Sequence, residues 1–271
     1  MSEVLVVIGA GGMGEAVARR LGSGRQVLLA DFDAEVLDRV AAALDGDGYR
    51  VHARKVDVSQ RDSVSSLAEQ AAALGSVTAL AHTAGLSPAQ ASTAAILAVD
   101  MVGVALVLEE FAKVVAPGGA GVVIASMAGA FAIGQLPAEA EAALATTAAD
   151  DLLDLPFLAG LPNPGAAYSV AKRANQVRVQ AASLAWGQRG ARVNSVSPGV
   201  ISTVMGRREL AGESGVGMRA MVEASGTGRQ GTAGDIAAAA AFLLGPDASF
   251  ITGTDLLVDG GAVAAVRYGG A

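Results

Sequence analysis

Apolar and polar positions along this chain fall into a repeating rhythm of short buried runs and longer helical segments. Val4 to Ile8 is an unbroken apolar run, the pattern of a parallel strand covered on both faces. Gln26–Ala30, Val77–Ala81, Ala120–Ala125, Ala191–Val196 and Thr254–Val258 read as strands too, and Arg50–Val56 resembles one, so six further strands are predicted. Helical spacing fills the intervals: Glu15 to Leu21, a stretch from Ala34, Asp62 to Leu74, Ser92 to Val115, a helix from about residue 166 to Trp186, and Thr232 to Leu244. Pro117-Gly118-Gly119 reads as the break between the fourth of these and the next strand. Strands alternating with helices predict an α/β fold, a single doubly wound parallel sheet flanked by helices, with ligands at the C-terminal strand ends.

Two stretches leave the rhythm. Pro137 to Leu155 is alanine-rich and carries Glu139, Glu141, Asp150, Asp151 and Asp154, so one or two acidic helices are expected. Pro156, Pro162, Asn163, Pro164 and Gly165 give a turn-rich return. Residues 130–165 therefore read as a helical insertion within one domain spanning 1–271, either a lid over a pocket or an oligomer contact. After Thr203, glycines at 206, 212, 215, 217, 226 and 228 predict a mobile segment.

Composition narrows the partners. With 52% hydrophobic and 17% charged residues, the chain has ample material for a large core. A net charge of −7 without a basic run argues against nucleic acid and anionic membrane surfaces. The absence of cysteine removes disulfides and thiol catalysis, and no metal site is expected. No basic leader and no long apolar run stand out, so a cytoplasmic protein is the expectation.

The first predicted strand passes into Gly9-Ala10-Gly11-Gly12-Met13-Gly14 and then a helix. Glycines spaced G-x-G-x-x-G between a strand and a helix permit a tight turn and close approach of backbone to a pyrophosphate. The helix N-terminus offers free N–H groups and positive dipole. The fold is thus expected to be of Rossmann type, binding a dinucleotide. Asp31, at the end of the second strand, is placed to accept hydrogen bonds from the adenine ribose. Its charge would repel a 2′-phosphate and no arginine stands beside it, which favours NAD over NADP. Asp33, just before Ala34, suits a helix N-cap. Asp57 could meet the adenine edge or cap a turn. His82 lacks a placed partner and reads as structural or solvent-facing.

Tyr168-Ser169-Val170-Ala171-Lys172 carries the candidate chemistry. On a helix, residues four apart share a face, so Tyr168 and Lys172 project together. A phenol titrates near pH 10, and lowering that to about 7 needs roughly 4 kcal/mol. One cation about 4 Å away at an effective dielectric of about 20 supplies about that much.

In order, the glycine loop, Asp31, Asp57, Thr83-Ala84-Gly85, Ser126-Met127-Ala128-Gly129, Tyr168-x-x-x-Lys172, Asn194, Pro198-Gly199 and Thr203 resemble the short-chain dehydrogenase/reductase family over essentially the whole chain. The resemblance implies an NAD(H)-dependent oxidoreductase interconverting a secondary alcohol and a ketone. Tyr168 would be the acid/base, Lys172 would lower its pKa and bind the nicotinamide ribose, and Ser126 would hydrogen-bond the reacting oxygen. Met13, Val58, Ala84, Gly85, Pro198, Gly199, Ile201 and Thr203 would join Gly9, Gly11, Gly12, Gly14, Asp31 and Asp57 around the cofactor. It further implies a homo-oligomer, dimer or tetramer, packed through the helices around 92–115 and 166–187. The substrate would be a small alcohol or ketone, with apolar residues after Thr203 suggesting a lipophilic one.

Three features depart from the family pattern. The glycine loop is one residue short, with Ile8 where a threonine is usual. Asp100 stands in place of a helix asparagine that shares in catalysis, where it could pair with Lys172. The interval from Ser126 to Tyr168 is lengthened by the insertion. A catalytically weak NAD-sensing or scaffolding protein on the same fold is the alternative reading, and nucleotide-sugar epimerase or dehydratase chemistry a third.

Overall fold

The structure, a computed structural model, describes residues 2–212 and 214–269. Seven parallel strands form one sheet in the order β3-β2-β1-β4-β5-β6-β7. In chain order these are β1 (Glu3–Ile8), β2 (Gln26–Asp31), β3 (Arg50–Lys55), β4 (Ser76–His82), β5 (Val115–Ile124), β6 (Arg192–Pro198) and β7 (Asp255–Val258). The helices are α1 (Gly12–Leu21), α2 (Ala34–Gly46), α3 (Arg61–Leu74), α4 (Thr93–Ile96), α5 (Gly103–Ala112), α6 (Met127–Phe131), α7 (Ala138–Thr146), α8 (Pro164–Gln188), α9 (Val204–Ala211), α10 (Gly215–Ala224), α11 (Ala233–Leu244) and α12 (Ala262–Tyr268). Among the described residues no helix is long and apolar enough to cross a membrane.

Alternation along β1 sends its side chains into two cores. Val4, Val6 and Ile8 pack with residues of α3, α5 and α8 on one face, while Leu5 and Val7 pack with α1, α2 and α11 on the other. Ile8 pairs with Ala30 of β2 on one side and His82 of β4 on the other. The chain runs outward from β1 in both directions, so a crevice opens at the C-terminal ends of β1 and β4, where ligands bind in such sheets. Asp33 caps α2 as expected, its carboxylate accepting from the N–H groups of Glu35 and Val36.

Local structure corrects the sequence reading at three places. Pro117-Gly118-Gly119 does not end an element: β5 begins at Val115, pairs Val115 with Val77, then resumes at Ala120 opposite Ala79, so the three residues form a bulge inside the strand. The long helix predicted over Ser92–Val115 stops at Ala112 and is interrupted by a π-helical turn, Leu97–Val102, between α4 and α5. The glycine-rich stretch after Thr203 carries two helices, α9 and α10, that the sequence reading did not predict. His82 is 1% exposed, a core residue, which agrees with the structural one of the two alternatives left open for it.

Between α6 and α8 the chain forms α7 and two 3-10 turns, Ala149–Asp154 and Pro156–Gly160. Leu144, Leu152 and Leu158 from this segment are buried in the α3/α5/α8 core. Arg178 of α8 donates to the carbonyl oxygens of Leu144 (2.9 Å) and Thr147 (2.6 Å) and to Glu109 (3.2 Å). Arg61 of α3 bridges Asp150, Glu109 and Glu110, and Arg173 pairs with Glu141. The segment is therefore fastened onto α5 and α8.

Candidate active site

The glycine loop joins β1 to α1. Gly9 adopts φ +100°, and a Cβ there would sit 2.5 Å from the Ala84 nitrogen and 2.7 Å from Thr83 Oγ1. A Cβ on Gly14 would collide with the Gly9 carbonyl oxygen, so these two glycines are required by the turn itself. Gly11 is different: a Cβ there would meet nothing within 4 Å, and Gly12 would meet only the Thr203 side chain at 3.4 Å. Those two front an open cleft of about 780 Å³ at the N-terminus of α1. Its walls include Gly9, Met13, Asp31, Asp57, Val58, Ala84, Gly85 and Thr203. Size, free backbone at a helix N-terminus and a carboxylate on the wall fit a dinucleotide.

Asp31 accepts from the Ala10 N–H at 2.6 Å and from the Asp33 N–H at 2.9 Å, so it braces the loop while lining the cleft. The missing neighbouring arginine is a property of the chain and not of the cleft, because folding brings Arg39 and Arg208 to the same walls. Asp57 accepts from the N–H and hydroxyl of Ser59 (3.0 and 2.7 Å): it caps the turn after β3 and also lines the cleft.

A second cavity, of about 360 Å³, shares Met13, Thr83, Gly85, Leu86, Thr203 and Met205 with the cleft. Ser126, Tyr168 and Lys172 all line it, together with Pro198, Gly199 and Ile201. Ser126 is the N-cap of α6, its oxygen accepting from the Ala128 N–H at 3.1 Å, which leaves the hydroxyl proton free to donate. Tyr168 and Lys172 sit one turn apart on α8, the Lys172 ammonium 5.3 Å from the centre of the phenol ring. Thr203 caps α9 by accepting from the Gly206 N–H at 3.1 Å, and likewise keeps a proton to donate.

Behind Lys172 lies a buried carboxylate. Asp100, on the π-helical turn, is 0% exposed, with one oxygen 3.5 Å from Lys172 Nζ and the other accepting from the Leu86 N–H at 2.7 Å. Gly85 leaves room for this pair, since a Cβ there would stand 3.3 Å from Nζ and 3.4 Å from Asp100 Oδ1. Asp100 lines neither cavity; it acts on them through Lys172.

The electrostatics are richer than a lysine beside a phenol. Burial pushes the Tyr168 phenol above its usual range, Lys172 pulls it down, Asp100 pushes it up again, and Ser126 pulls it down. The net direction is upward, against the simple expectation from the Tyr-x-x-x-Lys spacing, because burial and a second charge were invisible in that spacing. Burial works against the Lys172 ammonium too, but Asp100 and Tyr168 more than compensate and hold it above the ordinary lysine value. Burial raises Asp100, with Lys172 and the Leu86 N–H offsetting part of the effect. His82 is held down at about 3 by burial and by Lys172, and neither ring nitrogen has a hydrogen-bond partner.

Several cavity residues escaped the sequence reading: Glu209 and Met205 on α9, Met218 and Met221 on α10, and Phe131 at the end of α6. The signal was present in part, since Met205 and Glu209, and Met218 and Met221, lie at helical spacing. Of the segment between α6 and α8, α7 and the two 3-10 turns contribute no residue to the cavity wall.

Fold and cavities together define the class: a doubly wound parallel sheet whose glycine loop opens onto a tyrosine–lysine pocket. The chain belongs to the short-chain dehydrogenase/reductase family. A family model described as short chain dehydrogenase matches residues 3–139, and one described as Enoyl-(Acyl carrier protein) reductase matches residues 157–263. The short-chain dehydrogenase/reductase bsc3 of Alternaria brassicicola is 44% identical over 96% of this chain and 95% of its own length. Meso-2,3-butanediol dehydrogenase of Serratia marcescens is 32% identical over 97% of this chain and 95% of its own. Among solved structures, a short-chain dehydrogenase/reductase from Serratia marcescens BCRC 10948 superposes with a TM-score of 0.74 at 25% identity, covering 97% of this chain and 98% of that one.

Proposed function

We propose that this chain is an NAD(H)-dependent oxidoreductase that interconverts a secondary alcohol and a ketone. One observation carries the reading: Ser126, Tyr168 and Lys172 line a single cavity that shares walls with the glycine-loop cleft. When bound, the nicotinamide supplies hydride donation or acceptance at the substrate carbon. Tyr168 exchanges the accompanying proton with the substrate oxygen, and Ser126 donates a hydrogen bond to that oxygen as negative charge develops on it. Lys172 stays protonated against Asp100 and biases the phenol toward release of its proton.

Gly9, Gly11, Gly12, Met13 and Gly14 with α1 would hold the pyrophosphate, and Asp31 the adenine ribose, with Asp57 and Val58 near the adenine. Ala84, Gly85, Pro198, Gly199, Ile201 and Thr203 would flank the nicotinamide, whose ribose Tyr168 and Lys172 would meet. The Asp31 carboxylate at this cleft would repel a 2′-phosphate, which supports NAD over NADP. The same reading places the protein in the cytoplasm as one domain, its inserted segment fastened to α5 and α8. A homo-oligomer would pack through exposed apolar side chains at the sheet edge, Leu257 on β7 and Phe242 and Phe250 beside it.

A second reading is favoured by the Asp100–Lys172 pair, which diverts part of the lysine's charge from Tyr168: a cofactor-binding protein with weak catalysis. A panel of secondary alcohols and ketones assayed with NAD(H) and NADP(H) separates the two. Turnover with NAD(H) preferred supports the enzyme, whereas tight NADH binding without turnover supports the second reading.

A further inference from the structure

We infer that the substrate is a largely apolar alcohol or ketone carrying a second hydrogen-bond donor, a hydroxyl or protonated amine, which the Glu209 carboxylate receives. This rests on the oxidoreductase reading of the same cavity and adds the class of compound it accepts.

The cavity wall is mostly hydrocarbon and thioether. Leu86, Met127, Phe131, Met205, Met218 and Met221 line it. Unbranched, polarisable methionines conform to a bulky apolar skeleton without a fixed shape of their own. Against that background, two charged side chains among the described residues reach the wall, Lys172 and Glu209. Lys172 is engaged by Asp100 at 3.5 Å. No ion pair among the described residues includes Glu209.

Glu209 lies four residues after Met205 on α9, so the two share a face, and both border the cavity. Burial raises its pKa, and one neighbour, the fully buried Ser87 hydroxyl, pulls it back. A hydroxyl has one proton, whereas a carboxylate offers about four lone-pair sites, so most of the acceptor capacity of Glu209 is unspent. A carboxylate among methionines is costly unless a donor meets it. Its negative charge is also felt at Tyr168, where it opposes ionisation, which sets it on the same chamber as the reacting oxygen. A substrate with its own carboxylate or phosphate there would be repelled, so the group attracts one class and excludes another.

The test uses a matched decalin series: a decalol, a decalindiol with its second hydroxyl on the far ring, the corresponding amino-decalol, and the hydroxy-decalin carboxylate. Wild-type protein should favour the diol or the amino-alcohol over the decalol by about tenfold or more in kcat/KM, and disfavour the carboxylate. Glu209→Leu should collapse that ratio. Glu209→Gln, which keeps an acceptor oxygen but no charge, should retain the preference if the donor is a hydroxyl and lose it if the donor is an ammonium.

Calorimetric titration of the same compounds into Tyr168→Phe protein with NADH reads the preference without turnover. Equal affinities for decalol, diol and amino-alcohol there, or a ratio unchanged by Glu209→Leu, would overturn the inference. A Glu209-dependent preference in binding, with no oxidation of any member by the wild type, would uphold the inference and sink the oxidoreductase reading instead.

Discussion

Lys172 answers to two partners of opposite consequence. An ammonium 4% exposed needs an anion, and Asp100 provides one at 3.5 Å. The same carboxylate pushes the Tyr168 phenol upward, so it keeps the lysine charged while weakening the lysine's effect on the tyrosine. Replacing Asp100 with Asn keeps an oxygen for the Leu86 N–H and deletes the charge. In the oxidation direction Tyr168 must be a base, and activity rises as pH passes its pKa. Deleting a charge that raises this pKa moves the rising limb of the kcat/KM profile to lower pH. Asp100→Asn should therefore show that acid-ward displacement, with a stability loss of roughly 3 kcal/mol from breaking a buried pair. A limb displaced to higher pH would mean that Asp100 acts mainly by keeping Lys172 protonated.

Strand β4 ends in His82, whose ring lies in the core beside β1 and β5 with no partner for either nitrogen. Folding holds this imidazole neutral, with a pKa of about 3 against an ordinary value of 6.5. Between those values the unfolded chain binds a proton that the folded chain does not, so stability falls as pH falls, by roughly 1.4 kcal/mol per pH unit. Urea denaturation at pH 7 and pH 5 should show the wild type losing about 2 kcal/mol more than His82→Gln over that interval. Parallel losses would show that the imidazole protonates in place. Elements of this kind were largely readable from apolar runs: seven strands and a parallel sheet follow from short segments alternating with helices, although β3, RVHARK, is itself polar and partly exposed. What periodicity could not show was irregularity inside an element. The bulge at Pro117–Gly119 and the π-helical turn carrying Asp100 each depend on pairing and packing by residues distant in sequence. The glycines after Thr203 masked α9 and α10, whose helical register survives because other residues supply the contacts.

At the scale of the molecule, the sheet sets two cavities side by side at its C-terminal rim. The segment between α6 and α8 is fastened away from them by Arg61, Arg173 and Arg178. Tyr168, Lys172, Ser126 and the glycine loop were legible in the sequence because each sits in a short local motif. Glu209 and the methionines were not, since a cavity wall is assembled from separate helices and no local pattern marks it. Arg39 and Arg208 reach the Asp31 cleft for the same reason.

The central claim is that the hydroxyl of Tyr168 moves the proton while hydride moves beside it. It is tested most directly by steady-state turnover of Tyr168→Phe on any alcohol the wild type oxidises, with NADH binding followed in parallel. The expected result is a fall in kcat of about a hundredfold or more in protein that still folds and binds NADH. Turnover within a few-fold of the wild type would contradict it.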